Sequence, residues 1–392
     1  MIKRTLVGLA LSLGLLGSLM TAVSVSNASA PGQQAAEPTQ VFVWEEYGVT
    51  FTIPATWQTL GQSQNFDLAL VSPGVLETGE GTFIMLQVYP ALGPDTTLET
   101  ALDPLAEQTG GSVAPFSAAG LEGVGLSFTD EASGTSNHIV LLPYKENGAV
   151  LFIQASAIPD DEETVLGIVN SMVIEPPVPD YAAIDEAWQT SLAEEGRLIY
   201  GVSDAPVSLI EFYSYTCGHC ANYALPIEHL IALEADTGRM RIETAPLAGD
   251  PHAMRATEAM LCAAEQGKGF SAHKALWKGY LTIGYQDAYS EEGVRDALEP
   301  LGVDLDALAA CMDADAYAGM LDAVRADFLD YGLTGTPTVL LGAGDSPPET
   351  IKLPDGQVWS GTVPIDALRA LIDLIIEEEL SASEAATRYF GG

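Results

Sequence analysis

Basic residues are scarce: 15 Lys and Arg stand against 54 Asp and Glu, for a net charge of -39. So few cations cannot neutralise phosphates in quantity or hold a protein on an anionic lipid surface, which excludes nucleic-acid binding and electrostatic membrane docking. The acidic excess reads as a solvated surface that keeps the chain soluble. Cysteine is scarce too, with four in 392 residues and none before position 217. Phosphate-cradling loops, a glycine-rich dinucleotide fingerprint and a serine nucleophile elbow are all missing, and nothing in the chain calls for a dissociable cofactor. What is present is an apolar fraction of 47 %. At about 150 residues per domain, this length predicts two domains with real cores.

The chain opens with Lys3 and Arg4, an apolar run, and Ala28-Ser29-Ala30. That order predicts a secretory signal peptide over residues 1–30, cut after Ala28 or Ala30, with Pro31 disfavouring the second site. The competing reading is an uncleaved amino-terminal anchor, because the stretch from Leu6 to Val25 is just long enough to span a bilayer. Either reading places the rest of the chain outside the cytoplasm, in the periplasm or at the cell surface. The leader holds no cysteine, so a lipid-anchored amino terminus is not supported.

Residues 41–176 predict a small α+β domain with an antiparallel sheet and two helices. "VTFTIP" alternates Val49, Phe51 and Ile53 on one face, the period of a half-buried strand. Asn147-Gly148 between two apolar runs is a hairpin signal. Val165, Leu166, Val169 and Met172 follow an acidic first turn at helical spacing. His138 is a lone histidine without metal-ligand spacing and reads as an ordinary strand residue. "YGVTFTIPATW" and the closing "IVNSMVI" give this segment a weak resemblance to the small α/β domains of the PsbP and Mog1-like group. Three prolines in "EPPVPD" then mark a stiff linker, taken here as residues 177–183.

The pattern changes at Val207. "VSLIEFY" is an apolar strand interrupted by Glu211, and it runs into "SYTCGHC". Ala221, Leu225, Leu230 and Leu233 then give a helical face, with Pro226 inside the helix and Gly238 beyond its end. Strand, turn and helix put Cys217 in a helix's first turn, where the partial positive charge of the helix amino terminus favours a thiolate. A spacing of three residues brings Cys220 beneath it, close enough to resolve a mixed disulfide. His219 adds a donor or a positive charge nearby. Three readings are open for this pair. A zinc site requires a second pair of similar spacing, and Cys262 and Cys311 are singletons far apart. A structural Cys217–Cys220 staple would close only a tiny loop and gain little entropy. The third reading is a redox-active pair, which the helix position favours.

At these residues the chain resembles the DsbA-like thiol oxidoreductases over residues 184 to about 380. The resemblance rests on four stretches in order: "APVSLIEFYSYTCGHC", "AMLCAAEQGKGFSAHKALW", "LGVDLDALAACMDADAY" and "GLTGTPTVLLG". It implies an α/β thioredoxin fold over residues 184–392 with a helical insertion at about 252–333. It further implies that Cys217 is the exposed nucleophile and Cys220 its buried partner. Pro337 corresponds to the family's cis-proline, with Thr336 before it offering backbone hydrogen bonds to an extended substrate. Glu211 falls where relatives keep a buried acid, and a carboxyl buried beside a thiol would relay a proton to or from Cys220. The competing reading has Glu211 pointing out of an edge strand. Cys262 and Cys311 read either as two separate buried side chains or, on the even count, the oxidising compartment and similar cysteines in relatives, as a structural disulfide.

The resemblance implies an exported protein-disulfide oxidoreductase acting on unfolded or reduced secreted proteins, most readily as an oxidase, with a membrane quinone-linked partner of the DsbB or VKOR type to reoxidise it. The dipeptide Gly218-His219 departs from the Pro-His of the bacterial oxidases and matches that of protein disulfide isomerases. An isomerase or reductase therefore stays open, as does a non-catalytic adaptor with an inert disulfide. In the segment from His273 through Trp277 to Tyr280, an aromatic stripe at helical spacing reads as core rather than as the rim of a peptide groove, and His229 and His252 read as packing.

Overall fold

The computed structural model describes residues 38–391 except 62–65, 93–95, 131–132, 145–147, 196 and 360. The expected leader, residues 1–30, lies outside the described residues, as does Asn147. Among the described residues no helix is long and apolar enough to cross a membrane. The chain divides into two compact units, one ending at Pro176 and the other spanning Pro177–Gly392.

The first unit is built on antiparallel sheets. β1 (Thr39–Trp44), β2 (Val49–Pro54) and a short β10 (Val173–Ile174) form a three-stranded sheet in the order β1-β2-β10. Seven further strands, β3 (Gln58–Leu60), β4 (Leu68–Val71), β5 (Phe83–Tyr89), β6 (Ser112–Ala118), β7 (Leu121–Thr129), β8 (Ser136–Pro143) and β9 (Val150–Ala157), form the second sheet, ordered β3-β4-β5-β9-β8-β7-β6. Val49, Phe51 and Ile53 are buried, as their alternation predicted. β8 and β9 pair as a hairpin, Pro143 opposite Val150, with Gly148 at φ 93° in the connection. β9 is the middle strand, and all eight of its residues are buried, so side chains on both of its faces are covered and its sequence reads as a continuous run rather than an alternation. On the helix Glu162–Asn170 the buried residues are Val165, Ile168 and Val169, with Met172 just beyond. Leu166, placed on that face by the sequence reading, is only half-buried: i, i+3, i+4 and i+7 from Val165 fall in line, and i+1 lies 100° away. His138 lies on β8 with Nδ1 3.0 Å from Ser127 Oγ.

The second unit begins with the helix Tyr181–Glu195, so residues 181–183, read as linker, are already helical. Its five-stranded sheet runs β11-β13-β12-β14-β15, comprising β11 (Leu198–Tyr200), β12 (Val207–Tyr213), β13 (Met240–Pro246), β14 (Thr338–Ala343) and β15 (Glu349–Thr350). β12 is parallel to β13 and antiparallel to β14. It is therefore central, and all its residues except Ser208 are buried. The crossover from β12 to β13 is the helix Gly218–Leu230, which accommodates Pro226 and widens into a π-helical turn over Ile231–Ala235. Between β13 and β14 the chain inserts the helices Pro251–Glu265, Gly269–Ile283, Glu291–Leu298, Leu305–Asp313 and Ala318–Asp330. The last of these covers the sheet through Val324 and Phe328, packed on Ile210, Phe212, Ala245 and Leu340. Burying a side chain such as Phe212 contributes about 2–3 kcal/mol. After β15, a tight turn at Gly356 is closed by a single bridge, Lys352 to Val358, rather than by paired strands, and Pro364 caps the helix Ile365–Glu377.

Candidate active site

β12 delivers the chain to the site, and the helix Gly218–Leu230 receives it. Cys217 is the helix N-cap, in extended conformation (φ -88°, ψ 115°), and its Sγ accepts the Cys220 N–H at 3.4 Å. Sulfur thus takes the place that a serine or aspartate oxygen fills at an ordinary cap, facing unsatisfied helical N–H groups. The Cys217 N–H donates to Ser214 O, which closes the turn. Cys217 is partly buried and Cys220 is 1 % exposed, and both are free thiols. Thr336, 119 residues away, comes up against them in a loop whose Thr336–Pro337 bond is cis, with its carbonyl 3.3 Å from the Cys217 sulfur, which donates to it when protonated. Cys217, Cys220, Thr336 and Pro337 therefore meet at one place.

The two thiols are electrostatically unequal. The Cys217 thiol is lowered to about 5 by a hydrogen bond from the Cys220 thiol, which together with the Thr336 side chain and the N–H groups of Cys220 and His219 outweighs the burial that opposes it. Cys220 is pushed far above the ordinary thiol range, first because its proton is held by the Cys217 sulfur and second by burial. One sulfur carries the charge and the other keeps the proton. His219 is exposed and stands at the rim, reaching Cys217 through its backbone N–H.

Glu211 is not on an edge. It sits mid-strand on β12 between β13 and β14, is 4 % exposed, and is raised to about 8 by burial. Its charge bears on the phenols of Tyr213 and Tyr223, and Tyr213 also responds to the charge of Cys220. Among the described residues the buried Tyr213 hydroxyl meets no partner of good hydrogen-bond geometry, and the Tyr215 phenol is the neighbouring hydroxyl that bears on it. Sequence reasoning did not single out Tyr213; the signal was its position two residues after Glu211, on the same face of a strand.

The turn is anchored from the insertion. Thr216 Oγ1 donates to Asp250 Oδ2 at 2.6 Å, while Asp250 Oδ1 caps the helix Pro251–Glu265 by accepting the His252 and Ala253 N–H groups. Trp277 Nε1 donates to His273 Nε2 at 3.0 Å, so in the neutral ring Nδ1 carries the proton and donates to Tyr215 Oη at 2.8 Å. Burial holds His273 at about 3, so the ring is neutral. His273 and Trp277 are core, as the helical spacing suggested, and His229 is fully buried. Tyr280, on the same stripe, is different: it is only half-buried and overhangs the first residue of the active-site helix. Cys262 and Cys311 form a disulfide, Cα–Cα 5.9 Å, joining the helices Pro251–Glu265 and Leu305–Asp313.

Residues 193–348 match the family described as thioredoxin. With the sheet order, the cysteine turn and the proline loop, that match supports a thioredoxin-like fold with a helical insertion for the second unit. Similar solved structures include a thioredoxin-like oxidoreductase from Silicibacter pomeroyi, 19 % identical, covering 50 % of this chain and 98 % of that one with a TM-score of 0.38. The thiol-disulfide exchange protein alpha-DsbA2 of Wolbachia pipientis is 20 % identical, covering 49 % of this chain and 97 % of that one at a TM-score of 0.37. BdbD of Bacillus subtilis in its oxidised form is 16 % identical, covering 50 % of this chain and 95 % of that one at 0.36. No curated protein matches the sequence.

Proposed function

We propose that this thioredoxin-fold domain is the catalytic half of an exported protein-disulfide oxidoreductase that donates the Cys217–Cys220 disulfide to thiols of client proteins. The observation that carries the reading is the asymmetry of the pair: a partly exposed Cys217 sulfur held as thiolate at a helix amino terminus, above a buried Cys220 that keeps its proton. A thiolate that is stable when released is a good leaving group, so the oxidised pair favours passing its disulfide on.

The exchange proceeds in two steps. A client thiolate attacks the Cys217 sulfur of the oxidised pair; the Cys217–Cys220 bond breaks, and Cys220 leaves with the electron pair and takes a proton. Glu211, protonated up to about pH 8 and linked to Cys220 through Tyr213, which responds to the charge of both, is the group suited to supply that proton. A second client thiolate attacks the client sulfur of the mixed disulfide and displaces Cys217 as a thiolate. The client has lost two electrons and the pair has gained two. Thr336 and the backbone beside Pro337 line the place where an extended client segment lies against Cys217. Turnover requires a two-electron acceptor, for which a quinone-linked membrane partner has the right chemistry. The predicted leader supports placing this reaction outside the cytoplasm.

The test is the equilibrium reduction potential of the Cys217/Cys220 pair in glutathione buffers, with Cys262 and Cys311 replaced by alanine. A value of about -120 to -180 mV is expected for a disulfide donor; one near about -270 mV would make the protein a reductase, and one below about -300 mV would leave only a structural staple.

A further inference from the structure

Glycine at position 218 has no backbone reason. It is the first residue of the active-site helix, and its φ is not among the positive values that favour glycine. A Cβ built there meets a single atom within van der Waals range, the hydroxyl oxygen of Tyr280 at 3.1 Å. Tyr280 reaches that point from the inserted helix Gly269–Ile283, with its ring fixed edge-on to Trp277 at 6.1 Å, stacked on Tyr285 at 6.1 Å and tilted against Tyr289 at 6.3 Å. His252 lies behind, edge-on to Tyr285 at 5.5 Å. The ring is therefore held on three sides, and among the described residues its hydroxyl has no hydrogen-bond partner. Its free side faces the turn that carries Cys217.

We propose that Tyr280 is a further residue of the redox site: its phenol lies over position 218, where any side chain would have to displace it, and donates a hydrogen bond to the Cys217 sulfur when that sulfur becomes anionic. The proposal rests on the thiol-exchange reading. The phenol is suited to donate because it stays protonated: burial first, then the negative charge of Cys217 and the neighbouring Tyr285 and Cys220, raise it above its ordinary value. A hydroxyl at this place stabilises the thiolate form selectively, which both lowers the Cys217 titration and makes the oxidised pair more oxidising. The spacer residue of the motif and the inserted helix then act as one unit.

The experiment is a double-mutant cycle on the full reduced chain, reading the Cys217 titration from thiolate ultraviolet absorbance. Tyr280→Phe keeps the ring and its three contacts and removes only the hydroxyl; it is expected to raise the Cys217 titration by about half a pH unit or more, a threefold or larger loss of thiolate stabilisation. Gly218→Ala, which pushes the phenol away, is expected to give a shift of the same sign, and combining it with Tyr280→Phe should add nothing further. A Tyr280→Phe titration that coincides with wild type, or single shifts that simply add in the double variant, would overturn the proposal. Should Tyr280→Phe fail to fold by circular dichroism, Gly218→Ala alone decides, since an unmoved titration there also overturns it. A wild-type protein that exchanges no disulfide with client thiols would defeat the functional reading, while the titration shifts would still report whether Tyr280 acts on Cys217.

Discussion

The four cysteines divide into two pairs that the same domain treats in opposite ways. Cys262 and Cys311 come from two different helices, 49 residues apart, and are joined. Cys217 and Cys220 are three residues apart at a helix start and are free thiols. The first pair ties together distant chain and gains from the entropy it removes from the unfolded state. The second encloses almost no chain, so its properties come from charge: the hydrogen bond from Cys220, two N–H groups at a helix amino terminus and the Thr336 loop favour a thiolate on one sulfur, and that same bond, with burial, keeps the other protonated. Loop length makes a disulfide structural, and an unequal surrounding makes one exchangeable.

The contrast breaks most severely with Cys217→Ala, which should reduce disulfide transfer to a reduced client to the background of small-molecule oxidant. The Cys262→Ala/Cys311→Ala protein should transfer at the wild-type rate in the same assay. That second variant is expected to lose about 4 kcal/mol of stability in denaturant melts while the Cys217/Cys220 potential stays put. A change of potential would show that the two pairs are coupled through the insertion.

Glu211 sharpens the electrostatic side. Its folded-state value, about 8, lies above that of an unfolded carboxyl, so the buried acid is free of penalty at low pH and destabilises progressively as pH rises from about 4.5 through 8. Glu211→Gln should remove that slope and gain on the order of 5 kcal/mol at pH 9, measured by urea unfolding across pH. Cys217 has the opposite sign. Its value is depressed to about 5, so its stabilisation of the reduced fold is full above the unfolded thiol value, near pH 9, and is lost as pH falls through 5. The smallest expected effect is that of Thr336→Val, which removes one hydroxyl donor and should raise the Cys217 titration by about one pH unit or less. A titration left unmoved would assign the depression to Cys220 and the helix alone.

Much of this was legible because it is local. Cys217, Gly218, His219 and Cys220 share one turn, so strand-then-helix patterning places them without knowledge of the fold, and the order of "SYTCGHC" and "GTPTV" supplied the rest. Burial of Glu211 was not legible, because it depends on β13 and β14 flanking β12 from regions 30 and more than 120 residues later in register. The stripe of His273, Trp277 and Tyr280 was readable as one helix face, yet two members are core and the third overhangs the site, a distinction set by where the helix ends relative to the cysteine turn. In the first unit, the period of β2 appears cleanly because one face is covered, whereas β9, buried on both faces, has no alternation to read.

The contact between Cys217 and Thr336 spans 119 residues. Were the chain exported amino terminus first, it would present Cys217 before Thr336 by on the order of ten seconds at ordinary rates of synthesis, with Cys262 and Cys311 arriving inside that interval. During that interval Cys217 lacks the loop that completes its surroundings and behaves more like an ordinary thiol. Separation along the chain would then act as a timer: the domain's most acidic thiol is armed only after the two cysteines it could mispair with have both arrived.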